Sequence, residues 1–426
     1  MAIFAPRRTV ALALAAAVAP ALCGSTARTP REYRAVGSIV ASRWPYVTGS
    51  ALAVRVDGFG TPYHVALVGK GNLSEDGTYS VGDAARSGSA MLVAGNANGL
   101  AARNIRVVAP PAASRPFVAV ASYDTGIVLH DAQTFSVLGV LGTGGTPSDV
   151  AIDATGRLAA TDTQGSALTI ATLAPWKVAR ADGVVLGDEV AVDEATHAVF
   201  VTDRDVNGDG ALTRVSADAS VSRVVTGRTA EGLAIDPRRG LVYVANVNDG
   251  TVAAVGTRSM QVVRRFTAVA RVFSLALSPD GQRLYAVSNQ SAGSPFGAPG
   301  SVVALDLRRS PPRIVARSRE LRFPLGAALD AASGALFVTD EAADTVDVLD
   351  ARTLAPKRAP LQTCRTPWKP MLDRRRLFVP CARADSVDVF DVTTLRRVPG
   401  APFATGSYPL AVAVWPGRRA ANAPRR

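Results

Sequence analysis

Three groups of residues have the types and spacing to do chemistry. The first is the run Asp203-Arg204-Asp205-Val206-Asn207-Gly208-Asp209-Gly210. Oxygen-bearing side chains at alternate positions, closed by a glycine at a tight turn, are how a loop wraps calcium. Counted from Asp205, position twelve is Ser216, where a bidentate acid is expected. The competing reading is a hairpin turn, because Asn-Gly and Asp-Gly are preferred turn pairs. Asp203, Asp205, Asn207 and Asp209 are therefore candidate calcium ligands, with weak affinity expected. The second group is the pair Cys364 and Cys381, 17 residues apart. The third is a set of acids, Asp149, Asp188, Glu189 and Glu231, with Trp368 and Lys369. Its members converge only if a repeated element brings them together. Nucleophilic catalysis has little support. The three histidines, His64, His130 and His197, fall in separate, unrelated positions, so no Ser-His-Asp set is expected. No phosphate loop or dinucleotide fingerprint is present, and no catalytic residue is assigned.

The element that must position the acids is a repeat. The segment LVYVANVNDGTVAAV (Leu241 to Val255) returns as ALFVTDEAADTVDVL from Ala335, LFVPCARADSVDVF from Leu377 and AVFVTDRDVNGDGALTRV from Ala198. Residues aligned with Tyr243 are Val118, Ala159, Phe200, Tyr285, Phe337 and Phe378, at spacings of 41, 41, 43, 42, 52 and 41. The long gap holds the Gly/Pro/Ser insertion Ser291–Gly300. Before most copies stands an apolar strand, such as DVAID, EVAVD or GLAID, then a turn. Each unit thus reads as four short strands, which cannot bury both faces alone. Arranged radially they cover one another as blades. The first copy lacks an inner strand, and the chain carries an orphan one at Leu410–Trp415. Pairing that strand with Phe117–Ser122 closes a seven-bladed ring in a three-plus-one manner.

In this register Asp149, Glu189 and Lys369 occupy one position of the inner strands. Ser148, Asp188, Glu231, Phe273, Leu325, Trp368 and Leu410 occupy the position before it. The acids and Lys369 then meet at the channel mouth, where propeller ligands bind. The alternative is a solvated, mutually paired set. Pro367 should lie across from Cys381, which places Cys364 in the entering loop. A disulfide there would pin the last blade; two buried thiols are the other reading.

These copies, LVYVANVNDGTVAAVGTRSMQVVRRF above all, resemble the YVTN-type, lactonase-like β-propeller repeat proteins, a group of exported bacterial proteins. The resemblance covers about residues 112–416. It implies the fold and leaves function open, because propellers carry unrelated activities. Two functions are expected. One is a non-catalytic binding or scaffold protein for a protein, glycan or small ligand of the cell envelope. The other is a metal-dependent lactonase-like hydrolase with its site on the axis. No cofactor is assigned apart from the candidate calcium.

The remaining segments fit an exported protein. Arg7 and Arg8 precede an apolar stretch, Thr9 to Leu22, so residues 1–25 read as a signal peptide and 26–35 as a linker. Periplasmic or surface location follows. Strand-like runs over residues 36–110 suggest a small antiparallel sandwich, weakly similar to Ig-like modules. The formal charge of +12 is largely terminal: +4 falls in residues 1–35 and +4 in the basic tail 417–426. The two domains between carry 38 basic and 34 acidic residues. Specific nucleic-acid binding and membrane spanning are not expected, and a monomer is.

Overall fold

The computed structural model describes residues 38–417 apart from 58–63, 75–77, 83–84, 86, 97–98, 166, 205–207 and 290–298. The signal-peptide and linker readings, nearly all of the basic tail and most of the Ser291–Gly300 insertion lie outside the described residues. The chain divides into two compact units between Ala109 and Pro110.

The larger unit is an all-β propeller. Its second strands, such as Leu241–Asn246 and Ala335–Asp340, are buried along nearly their whole length. They are built from Val, Leu, Tyr and Phe, which suit a strand covered on both faces. The outer strands, such as Val221–Arg228, alternate between exposed and covered residues. That is the pattern of a sheet edge with one face in water. Each four-stranded sheet runs inner to outer in chain order. One contains Val150–Ile152, Arg157–Ala160, Ala167–Leu173 and Trp176–Asp182; the next contains Gly187–Val192, Val199–Arg204, Asp209–Val215 and Val221–Arg228. Among the described residues this unit forms five such sheets, a further sheet built on Arg376–Cys381 and Ser386–Asp391, and the ladder that joins Pro409–Trp415, Phe117–Ser122, Gly126–Asp131 and Val137–Leu141.

The aligned aromatic position proves to be core. Phe200, Tyr243, Phe337 and Phe378 are 1% exposed or less. Their rings fill the gaps between neighbouring sheets, as Tyr243 does against Leu275, Leu284 and Val303 of the next sheet. Each contributes roughly 2–3 kcal/mol of burial. The inner strands of consecutive sheets contact one another, and the last returns to the first.

Closure is made by the expected strands. Pro409–Trp415 pairs antiparallel with Phe117–Ser122, with Val412 opposite Val120 and Trp415 opposite Phe117. Trp415 is 1% exposed, and its Nε1 donates to the Ala113 carbonyl at 2.8 Å. Beside this seam Phe135 and Phe403 stack at 4.5 Å.

The smaller unit is also β-structured. Gly88–Asn96 and Gly99–Val108 pair as a long antiparallel hairpin, flanked by His64–Gly69. Tyr46–Val47 runs parallel to Val107–Val108, which departs from the all-antiparallel expectation. Some sixty residues separate these strands, so no tight hairpin dictates their direction. Tyr46, Tyr79, Leu92 and Ile105 form its buried centre.

Candidate functional site

The mouth of the channel is shaped by irregularities in the inner strands. The ladder to the second strand shifts register between Gly187 and Val190, Ala230 and Leu233, Val272 and Ser274, and Pro324 and Gly326. A bulge of this kind turns side chains away from the ordinary alternation. The residues released are Asp188–Glu189, Glu231–Gly232, Phe273 and Leu325. In two of these sheets, and at the head of the regular strand Val150–Ile152, a threonine of the second strand accepts an amide of the inner strand. Thr161 Oγ1 accepts from Asp149 N at 2.9 Å, Thr202 Oγ1 from Glu189 N at 3.0 Å and Thr339 Oγ1 from Gly326 N at 3.2 Å.

All six predicted mouth residues, Asp149, Asp188, Glu189, Glu231, Trp368 and Lys369, line one cavity of about 600 Å³. Lys369 is its central cation. The ammonium lies 2.7 Å from Asp149 Oδ2 and 3.3 Å from Glu189 Oε2. Each carboxylate also holds a neighbouring strand. Asp149 accepts the amides of Val150 and Val190, both at 2.9 Å, and Glu189 accepts that of Leu233 at 2.9 Å. Asp149 and Glu189 therefore tie each inner strand to the next. Their side chains are 5% and 12% exposed, whereas that of Lys369 is 33% exposed. Burial pushes the Glu189 carboxyl up to about 7; Lys369 opposes the rise and Asp149 adds to it. Burial lowers the Lys369 ammonium, but the two carboxylates outweigh this and hold it above its ordinary range.

A second cavity of about 790 Å³ adjoins the first, and Glu231, Phe273, Trp368 and Tyr408 line both. Its other charged residues are Arg271, Arg365, Arg383, Glu341 and Asp344. Sequence reading missed these arginines and the paired rings of Tyr123 and Tyr408, which meet edge to face at 6.3 Å. A signal was present. Three positions before the aligned inner-strand acid stand Leu186, Thr229, Arg271, Thr366 and Tyr408. All five adopt the left-handed conformation, with φ of 52°, 57°, 50°, 59° and 53°. A residue lacking glycine's freedom pays about 1 kcal/mol for this. In return each side chain overhangs the mouth.

The other predicted residues are placed as follows. Cys364 and Cys381 form a disulfide, with Cα atoms 5.7 Å apart, and Pro367 bridges to Cys381. Asp205 and Asn207 lie outside the described residues. Asp203 is buried, and its carboxylate receives Arg223 at 3.1 Å; Asp209 is exposed at the start of the returning strand. Among the described residues no three His, Cys, Asp or Glu side chains gather as a metal-holding group. His130 is buried at the seam, bonded to the Phe135 carbonyl and Thr405 Oγ1, both at 2.9 Å. Burial lowers it to about 4, so it is a neutral core residue. His197 pairs with Asp153 in a turn. Among the described residues no helix is long and apolar enough to cross a membrane.

Comparison with known proteins places the fold. No family model matches the chain. The uncharacterized protein YncE of Salmonella typhimurium is 25% identical over 201 residues, which cover 44% of this chain and 54% of that protein. The YncE protein of Salmonella typhi matches to the same extent. The chain thus spans about half the length of the curated relatives it matches. Among solved structures, a protein of unknown function from Desulfotomaculum acetoxidans superposes with a TM-score of 0.58 at 18% identity, over 70% of this chain and 98% of that one. A candidate 6-phosphogluconolactonase from Bacteroides fragilis gives 0.56 at 11% identity, over 72% and 99%. At these identities the likeness is one of fold.

Proposed function

We propose that this chain is an exported, YVTN-type, seven-bladed propeller of the cell envelope that binds a small polyhydroxylated ligand, of the saccharide class, at its channel mouth. The observation that carries the reading is the pair of adjoining cavities joined by Trp368, Phe273 and Tyr408. Flat rings beside carboxylates offer a stacking face together with acceptors for hydroxyl groups.

A second reading, a metal-dependent lactonase-like hydrolase, rests on Asp149, Asp188, Glu189 and Glu231 lining one cavity, although they do not gather as a metal-holding group. Lys369 weighs against it. Its ammonium already sits between Asp149 and Glu189, where an axial cation would bind. A divalent ion there would have to displace it.

Trp368 supplies the test. The full chain is titrated with cellotriose, maltotriose and chitotriose while tryptophan emission is followed. A saturable change with at least one sugar, absent from Trp368→Phe, is expected. No binding by any of the three, together with a firmly held divalent ion and lactone hydrolysis lost in Glu231→Ala, would establish the hydrolase instead.

A further inference from the structure

We infer that the second cavity is a carboxylate subsite, so that the ligand of the mouth is an acidic saccharide of the uronic-acid type; this deepens the saccharide reading and rests on it. The argument begins with how the molecule treats its other arginines. Arg223 pairs with Asp203, Arg239 with Asp236, Arg319 with Asp347 and Arg397 with Asp388, at 2.6 to 3.1 Å. Arg271 stands at the entry to one sheet, Arg365 and Arg383 lie in two loops of another beside the Cys364–Cys381 disulfide, and all three line one cavity. None of the three forms an ion pair with a carboxylate among the described residues, although Glu341 and Asp344 line the same cavity. Asp344 is turned to the backbone, accepting Thr366 N at 2.8 Å. Arg271 Nε is buried with no partner among the described residues. One Nη1 contact of that group reaches Asn248 Oδ1 at 3.4 Å. A buried guanidinium donor without an acceptor is costly. A bound carboxylate would relieve the electrostatic part of that cost for the group as a whole.

The unpaired donors, rather than a surplus of positive charge, mark the subsite. Three arginines face Glu341, Asp344 and the shared Glu231. Burial holds the Glu341 carboxyl above its ordinary value, with Arg383 opposing. Three arginines against three acids leave no net formal charge, so a monoanion leaves a smaller excess in the cavity than a dianionic phosphate. A planar guanidinium also matches a planar carboxylate in two parallel hydrogen bonds. The neighbouring acid cavity would repel the same group, so the ligand's polarity across the mouth is fixed. The rings of Trp368, Phe273 and Tyr408 lie between, placed to stack on the sugar.

The test compares trigalacturonate with neutral galactotriose by tryptophan emission on the full chain at low salt. Trigalacturonate is expected to bind about ten-fold tighter, the equivalent of one charge-assisted contact. The double variant Arg365→Gln/Arg383→Gln, both on exposed side chains, should remove most of that preference, so that the two sugars bind with nearly equal affinity. Equal affinity for the two sugars, or a preference that survives the double variant, would overturn the subsite. Benzoate separates this proposal from the reading beneath it. Benzoate binding that the double variant loses, with neither sugar bound, would keep the subsite and remove the saccharide. No binding of benzoate or trigalacturonate would overturn the subsite itself.

Discussion

The two halves of the mouth handle charge in opposite ways. In the acid half, Asp149 and Glu189 each accept an amide from the next inner strand, and both face the chain's own Lys369. Their charges are spent on holding neighbouring sheets in register. In the arginine half, Arg271, Arg365 and Arg383 line a cavity with no ion pair to a carboxylate among the described residues. The same ring of repeats thus carries a cluster whose work is internal beside one whose valences point into open space. Charge density alone would have marked the acids as the site. Partner geometry points to the arginines as the specificity element and to the acids as the frame.

Substitutions can break this contrast. The largest effect is expected from Lys369→Met, which leaves Asp149 and Glu189 buried without their cation. Loss of one partner from a fully buried pair costs about 3–5 kcal/mol. With a third of the Lys369 side chain in solvent, about 2–4 kcal/mol is expected at neutral pH by urea unfolding. The pH dependence has a definite sign. Glu189 is raised above its ordinary 4.5 in the folded protein and rises further without Lys369. The folded variant therefore holds the Glu189 proton to higher pH than the unmodified protein, whose Glu189 sits at about 7, so its deficit shrinks as pH falls toward about 7 and changes little below that. A deficit that grows on acidification would show that the carboxylates are not what Lys369 neutralises. The smallest effect belongs to the other half. Arg365→Gln/Arg383→Gln should change unfolding free energy by less than about 0.5 kcal/mol, the ordinary range for surface positions. A loss comparable to that of Lys369→Met would erase the contrast.

Much of this was legible from spacing. The period near 42 residues located the strands, because each copy repeats the same alternation of covered and edge strands. The leftover strand Leu410–Trp415 announced the pairing with Phe117–Ser122. The alignment of inner strands gathered Asp149, Asp188, Glu189, Glu231, Trp368 and Lys369, since residues at one repeat position share one place around the axis. Less could be read where backbone geometry departs from the repeat. The register shifts that release Glu231 and Phe273 depend on hydrogen bonds that sequence does not display. Arg271 sat in the same periodic row as Leu186 and Tyr408, yet its chemistry drew no notice because its row mates differ in type. Arg365 lies in the loop entering Met371–Asp373 and Arg383 in the turn after Arg376–Cys381, outside any aligned strand. Partnering was also hidden: the distance from Lys369 to Asp149 spans 220 residues.

A crystal structure of the full chain soaked with trigalacturonate tests the central claim most directly. The account predicts sugar density at the mouth, a ring against Trp368, one carboxylate among Arg271, Arg365 and Arg383, and Lys369 still bonded to Asp149. Sugar bound away from the mouth, or a carboxylate seated on Lys369 with the arginines unoccupied, would contradict it.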